Sequence, residues 1–255
     1  MLQLRQLHQQ IEELSLNAWP SLQTVVYDGW LLRFADGYTK RSNCVMPLYE
    51  SHVEVIDKIR HCERLYAERR QDVIFKITPF AKPDQLDQLL DERGYRVMDP
   101  VYVKTADLAE LPAPAEMECQ LDEQLSKRWL DNYALLVPSF ESHRETAAKL
   151  LTSMPLRQCF ATLYLDGEPA ACGVGVIEHG YVGLYDIVTS ERFRNRGLAY
   201  QLLLHLFHWA RQNGADKAYL LVVQDNQPAN RLYDKFGFET IYEYWYRVKS
   251  RTQDV

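Results

Sequence analysis

The stretch 188–203 does most to limit the folds open to this chain. It reads VTSERFRNRGLAYQLL: an apolar strand-like run ends, a polar basic loop follows, and an amphipathic helix begins near Gly197. A further strand-like run at 217–223, KAYLLVV, follows that helix. Such alternation marks an α/β fold with a strand–loop–helix crossover. The start of a helix leaves up to four backbone N–H groups without partners and carries a partial positive charge. Together these suit an anion such as a diphosphate. Gly197 and Ala199 keep bulky side chains out of its way, and Arg194 and Arg196 add charge at the rim. The spacing is neither GxxxxGK[ST] nor GxGxxG, which leaves P-loop and dinucleotide-binding readings without support. The plain alternative is a crossover with a solvated basic loop.

A second patterned segment lies downstream. Asn226 stands where the strand 217–223 gives way to a helix, and its amide both donates and accepts. Pro228 suits a first helical turn. Tyr233 comes three residues after Asn230, so the two share a helix face. Gly237 then stops the helix before Phe238.

Arg194-x-x-Gly197-x-Ala199, then Asn226, then Ala229-Asn230-x-x-Tyr233-x-x-x-Gly237-Phe238 resembles the GNAT superfamily of acyl-CoA-dependent N-acyltransferases. Each motif alone is weak, while the ordered pair, separated by one helix and one strand, is specific. The motifs cover about residues 181–240, and the order of elements extends the likeness over 116–249. Asn195 departs from the pattern, since many members have glycine there; asparagine tolerates the backbone angles such a loop needs.

The resemblance implies an acetyl-CoA-dependent N-acetyltransferase working by direct transfer in a ternary complex. The pyrophosphate of acetyl-CoA would sit on the N–H groups of Arg194, Asn195, Arg196, Gly197, Leu198 and Ala199. The pantetheine arm would run along Ile187, Val188 and Thr189 like an added strand, with Asn226 and Asn230 near the thioester end. Tyr233 would protonate the departing thiolate. For the proton leaving the amine the residues offer Asp186, Glu141, Glu178 and His179, or a water chain. Strand alternation puts Asp186 on one face with Val188, toward the acceptor side. Tyr185, Tyr242, Tyr244, Trp245 and Tyr246 either shape the acceptor pocket or pack across strands. No metal is implied, and the acceptor is a small-molecule or peptide amine. The competing function is an acyl-CoA-binding sensor or assembly module without turnover.

The chain's 255 residues suffice for two compact domains or one large one. The run Ala109-Glu110-Leu111-Pro112-Ala113-Pro114-Ala115 reads as a semi-rigid connector. It divides a domain at 1–111 from one at 116–255, with 112–115 as linker. The first part reads as a helix carrying Leu7, Ile11 and Leu14, strand-like runs at 24–34 and 38–46 around the hairpin signal Asp36-Gly37, a helix, a strand at 72–78, a short helix and a last strand. The second part reads as helical segments near 121–136 and 144–154, then strands at 158–165, 170–178 and 181–189. Its segment Leu232-Tyr233-Asp234-Lys235-Phe236-Gly237-Phe238 overlays on Leu89-Leu90-Asp91-Glu92-Arg93-Gly94-Tyr95, a weak internal repeat. The expected architecture is therefore tandem GNAT-like domains, each a mostly antiparallel mixed sheet flanked by helices, in an α/β (α+β mixed sheet) chain.

The first copy shows no pyrophosphate loop. Pro47-Leu48-Tyr49-Glu50-Ser51 has neither glycine nor arginine, Glu50 would repel an anion, and Leu90 overlays Tyr233. This half reads as a non-catalytic, degenerate GNAT-like domain. Asp28, Arg33, Arg41 and Asn43 are either acceptor contacts or solvated charges.

With 29 basic against 35 acidic residues and a formal net charge of −6, a basic nucleic-acid-binding surface is not expected. No run of about 18 apolar residues suggests a membrane span. The first residues have no signal-peptide pattern, and the five scattered cysteines, Cys44, Cys62, Cys119, Cys159 and Cys172, include no CxxC pair. A cytoplasmic monomer or homodimer with reduced thiols is the expectation.

Overall fold

The computed structural model describes residues 2–251. The N-terminal half begins with α1 (Leu2–Ala18), whose residues Leu7, Ile11 and Leu14 recur at helical spacing. Strands β1 (Gln23–Tyr27) and β2 (Trp30–Phe34) form a hairpin. Its turn is Asp28-Gly29, with φ of 43° and 82°, rather than the expected Asp36-Gly37. The latter pair also has positive φ but leads into a 3-10 turn, Lys40–Ser42. The reason is Asn43: its Oδ1 accepts the N–H groups of Ala35 (2.7 Å) and Gly37 (3.1 Å), ending the strand there. The half continues with β3 (Val45–Pro47), α2 (Val55–Glu68), β4 (Val73–Ile77), α3 (Leu86–Glu92) and β5 (Arg96–Asp107). Ile59, Cys62 and Tyr66 of α2 and Leu86 and Leu90 of α3 pack with Trp30 and Phe75 in one apolar core.

The C-terminal half opens on a short strand, β6 (Cys119–Asp122), where the sequence pattern suggests helix. Helix α4 (Lys127–Leu136) begins only after Ser126, whose hydroxyl accepts the Trp129 N–H and fixes the start. Then come α5 (Arg144–Ser153), β7 (Arg157–Leu165), β8 (Glu168–Glu178), β9 (Tyr181–Thr189), α6 (Leu198–Gln212), β10 (Lys217–Val223), α7 (Gln227–Asp234) and β11 (Glu239–Lys249).

The chain forms two compact units. One holds Ser21–Tyr102 with the chain before Gln10 and from Tyr242 onward; the other holds Gln10–Pro20 and Val103–Ile241. In the first unit β1, β2 and β3 are antiparallel neighbours, β3 is parallel to β4, and β4 is antiparallel to β11. In the second, β6, β7, β8 and β9 are antiparallel neighbours, β9 is parallel to β10, and β5 follows β10. Each unit is thus a mixed sheet flanked by helices, and each takes a strand from the far side of residues 112–115. Those residues themselves run along α6: the Ala115 N–H donates to Gln201 (2.8 Å), and the Pro112 carbonyl lies 3.0 Å from His208 Nε2.

The internal repeat is visible in the helix ends. After α3, Gly94 has φ 80° and the Tyr95 N–H reaches back to the Leu90 carbonyl (3.0 Å). After α7, Gly237 has φ 72° and the Phe238 N–H reaches back to the Tyr233 carbonyl (3.3 Å). Both are left-handed glycine caps that turn the next aromatic residue inward; Tyr95 and Phe238 are buried.

Candidate functional site

The site expected from the sequence lies in the second unit, around the end of β9. On its β8 side, β9 stays paired to Thr189, but with a slip: Cys172 faces Val188 while Val174 faces Tyr185. Two residues of β9, Asp186 and Ile187, therefore stand against the single residue Gly173. This is a β-bulge, and Asp186 takes the left-handed conformation, φ 52°. The strand alternation expected to pair the faces of Asp186 and Val188 does not hold across it, because a bulge shifts every later side chain by one step. Gly173 makes room for it. A Cβ there would lie 2.5 Å from Ile187 Cδ1 and 3.2 Å from Leu202 Cδ2.

On its other side, β9 pairs with β10 from Tyr181↔Lys217 to Leu184↔Leu220 and, among the described residues, no further. Both strands continue, β9 to Thr189 and β10 to Val223. The β10-facing edge of β9 at Ile187, Val188 and Thr189 is thus open, and an open strand edge offers backbone N–H and C=O groups to an extended ligand.

Just past β9 lies the basic loop. A 3-10 turn (Glu191–Phe193) leads to Asn195, φ 63°, and Gly197, φ 75°. The asparagine therefore adopts the left-handed conformation that glycine would favour. Gly197 is the residue before α6, and no side chain caps that helix. The Gln201 N–H bonds the Gly197 carbonyl (3.1 Å); the N–H groups of Leu198, Ala199 and Tyr200 have no earlier helical carbonyl to reach. Around a Cβ built at Gly197 nothing lies within 4 Å, so the helix end faces open space. Arg194, Asn195 and Arg196 are exposed. Arg194 pairs with Glu191 (3.1 Å), and the Arg196 guanidinium lies 5.5 Å from the Phe193 ring centre.

The second motif meets the first through aromatic packing. Tyr200, in the first turn of α6, stacks on Phe236 at the end of α7 (4.5 Å between ring centres). Asn226 caps α7, its Oδ1 accepting the Ala229 N–H (3.2 Å), and is exposed. Asn230 is buried, and its Nδ2 donates to the carbonyls of Val223, Gln224 and Asn226 (3.1–3.3 Å). It ties the end of β10 to α7, which leaves its amide nitrogen committed to the fold. Tyr233 is 7% exposed and packs on Phe238. Its hydroxyl makes no hydrogen bond among the described residues, and burial pushes its pKa up to about 12. It therefore holds its proton throughout the neutral range.

The other candidates for taking a proton lie elsewhere. Glu178 accepts from the Asn17 side chain (3.0 and 3.2 Å). With His179 it stands at the β8–β9 turn, the opposite end of β9 from Asp186, some seven residues and roughly 20 Å away. Glu141 bonds Arg144 (3.4 Å) on an exposed turn. Cys159 and Cys172 are fully buried, and burial raises both thiols, Cys172 to about 12. Neither is a ready thiolate. Among the described residues no cluster of His, Cys, Asp or Glu could hold a metal ion, and no helix is long and apolar enough to cross a membrane.

Sequence patterns alone do not disclose the bulge or the Tyr185–Tyr219 pair, whose hydroxyls lie 2.9 Å apart beside the point where β9 and β10 part. The only cue is glycine inside strand patterns, Gly173 and Gly183. Tyr219 lies against Gly183, where a Cβ would come within 2.5 Å of its ring.

In the first unit the matching position is filled from within. The backbone N–H groups of His52 and Val53, just before α2, donate to the Asp28 carboxylate (2.9–3.1 Å). Asp28 also meets the buried Lys58 (3.3 Å). Arg33 is buried and donates to the Arg41 carbonyl (2.7 Å), and Asn43 is occupied by backbone. Asp28, Arg33 and Asn43 thus serve the fold of this unit.

Proteins of known structure share this fold. A GCN5-related N-acetyltransferase from Kribbella flavida superposes with a TM-score of 0.68 at 17% identity, over 98% of this chain and 96% of that one. A tandem GNAT protein from the clavulanic acid biosynthesis pathway gives 0.62 at 15% identity, over 78% and 70%. An uncharacterized N-acetyltransferase, YobR, from Bacillus subtilis (strain 168) is 30% identical over 94% of this chain and 97% of its own length. Fold and relatives define the class, a GNAT-type acetyltransferase. Within it, the chain belongs to the family whose model is described as "Probable histone acetyltransferase Rv0428c C-terminal", which matches residues 7–247.

Proposed function

We propose that this protein transfers an acetyl group from acetyl-CoA to a primary amine, and that residues 116–255 carry the chemistry. The observation that carries this reading is the parting of β9 from β10 beyond Leu184↔Leu220, next to the uncapped start of α6. The pantetheine arm lies in that opening, bonded to the edge of Ile187, Val188 and Thr189. The pyrophosphate rests on the N–H groups between Arg194 and Ala199, where a helix end attracts an anion. Asn226 borders the opening from α7, and Asn230 holds the loop between them.

The amine nitrogen attacks the thioester carbon, the C–S bond breaks, and the sulfur leaves as a thiolate that takes the Tyr233 proton. A phenol raised to about 12 is a weak acid, but a thiolate formed in the same desolvated place is also more basic than in water. The raised thiols of Cys172 and Cys119 show the same physical effect. Asp186 at the bulge, or water beside it, accepts the amine proton. The protonated, buried cysteines favour direct transfer over a cysteine-bound intermediate.

Residues 1–111 act as a non-catalytic GNAT-like part. The support is the contrast at the two helix starts: Asp28 already fills the one before α2, whereas no side chain caps α6. Reduced cysteines fit a cytoplasmic location. The acceptor is a small-molecule or peptide amine, and the family description brings histone-type lysine side chains into the range to be tested.

The test is thiol release from acetyl-CoA with a panel of polyamines, aminoglycosides and lysine peptides. Acceptor-dependent release is expected. Tight acetyl-CoA binding by calorimetry with no release across the panel would instead favour a sensor or assembly module.

A further inference from the structure

The first unit carries a basic pocket of about 540 Å³ that the acetyl-transfer chemistry does not use. Its lining includes Lys40, Arg69, Arg70, Gln71, Asp72 and Arg251. Two of the cations have partners. Lys40 pairs with Asp99 (2.8 Å), and the Arg69 guanidinium sits 4.4 Å from the Phe34 ring centre and donates to the Leu65 carbonyl (3.3 Å).

Arg70 is different. Eight non-glycine residues among those described have positive φ. Seven are Asp, Asn or His, which tolerate the left-handed region, and the eighth is Arg70, φ 56°. It stands just past α2, where the Arg70 N–H bonds the Ala67 carbonyl (2.9 Å) and the Gln71 N–H bonds the Tyr66 carbonyl (3.0 Å). Glycine is the favoured residue at that cap. An arginine there strains the backbone, and among the described residues its guanidinium forms no ion pair or hydrogen bond that would compensate. Strain kept without a structural return points to function.

Arg251 is brought alongside. Its guanidinium donates to the Arg70 carbonyl (3.0 Å) and its backbone N–H to Asp72 (3.0 Å). Both arginines line the pocket. Gln71 also lines the pocket, and its Oε1 is buried without a hydrogen-bond partner, an acceptor left for a ligand to satisfy. Asp36 and Asp72 also line the pocket, and the four cations outnumber them.

We propose that Arg70, Arg251 and Gln71 form a binding site for a phosphate group borne by a small metabolite. The guanidinium fork of arginine matches the oxygens of a phosphate, and the volume admits a ligand of metabolite size. The site belongs to the half of the chain that the acetyl-transfer reaction leaves without catalytic work.

Calorimetric titration of the full chain at low ionic strength tests this, with inorganic phosphate and glycerol 3-phosphate as probes and glycerol as the uncharged control. Saturable binding of glycerol 3-phosphate at one site is expected, with none for glycerol. Inorganic phosphate binding as tightly as the ester would assign the site to the free ion, and would overturn the metabolite part of the proposal. Arg70→Gly should weaken binding about tenfold or more and leave the melting temperature equal or higher, since glycine relieves the strained angle. Acetyl-CoA binding should not change in this variant. Absence of binding in the natural protein, unchanged binding in Arg70→Gly, or a lowered melting temperature in that variant would each overturn the site.

Discussion

The hydroxyls of Tyr185 and Tyr219 lie 2.9 Å apart in a buried pair at the point where β9 and β10 separate. Trp19 stacks on Tyr185 (5.3 Å between ring centres), and Tyr219 fills the space left by Gly183. The pair fastens the two strands just before they part. Replacing either tyrosine by phenylalanine removes the hydrogen bond between them, which costs about 1 kcal/mol. Removing both should cost less than the sum of the single changes. Denaturant unfolding of the three variants measures the coupling.

Gly183→Ala tests the same contact from the strand side. The added methyl would stand 2.5 Å from the Cζ and Oη atoms of Tyr219 and 2.9 Å from Tyr185. Tyrosine held by a buried hydrogen bond has little room to retreat, and overpacking of this kind costs about 1–3 kcal/mol. A melting temperature equal to that of the natural protein would show that the tyrosines move freely.

Tyr233→Phe keeps the packing on Phe238 and removes the hydroxyl, which has no partner among the described residues. Stability should therefore change little, while kcat falls roughly a hundredfold and KM for acetyl-CoA stays near its original value. Since burial holds Tyr233 up to about 12, its proton loss should not appear as a falling limb in the pH–rate profile below about pH 10. Undiminished turnover in the variant would remove Tyr233 from the acid role.

How much of this site shows in the sequence follows from what is local. Gly197 and Asn195 adopt the left-handed angles that their residue types allow, and the glycine caps at Gly94 and Gly237 repeat as the overlay suggests. Strands 181–189 and 217–223 are found at their expected bounds. Asp186 is legible as a residue but not in its direction, because a bulge arises from the mismatch of two strands and leaves no period of its own. The hairpin at Asp28-Gly29 is equally available by type, yet Asp36-Gly37 looks the same until Asn43 is seen taking the N–H groups of Ala35 and Gly37. The pairing of β4 with β11, residues some 170 positions apart, is set by the whole sheet and no local pattern encodes it.

Gly197→Ala separates backbone strain from collision. The residue has φ 75° with open space around a built Cβ, so alanine meets no atom and the cost is conformational, about 1 kcal/mol. The same strain disturbs the N–H groups before α6, and acetyl-CoA should bind more weakly. Asn195→Gly, at φ 63°, should do the opposite in the fold, being neutral or slightly stabilising, with binding retained. Equal acetyl-CoA affinity in Gly197→Ala would exclude this helix start as the pyrophosphate cradle.

Acid stability depends on Asp28. Hydrogen bonds from Val53 and His52, with Lys58 beside them, hold its pKa down to about 2 against an ordinary value near 3.8. A carboxylate depressed in the folded state binds fewer protons there than when unfolded, so stability rises with pH across that window. Its contribution is complete above about pH 4 and is lost as pH falls toward 2. Asp28→Asn keeps a residue type that accepts the positive φ of this turn but cannot hold the charge. It should be less stable than the natural protein at neutral pH, with the difference shrinking between pH 4 and 2. Paired unfolding curves across that range measure it, and a constant difference would mean that the Asp28 charge does not fasten the start of α2.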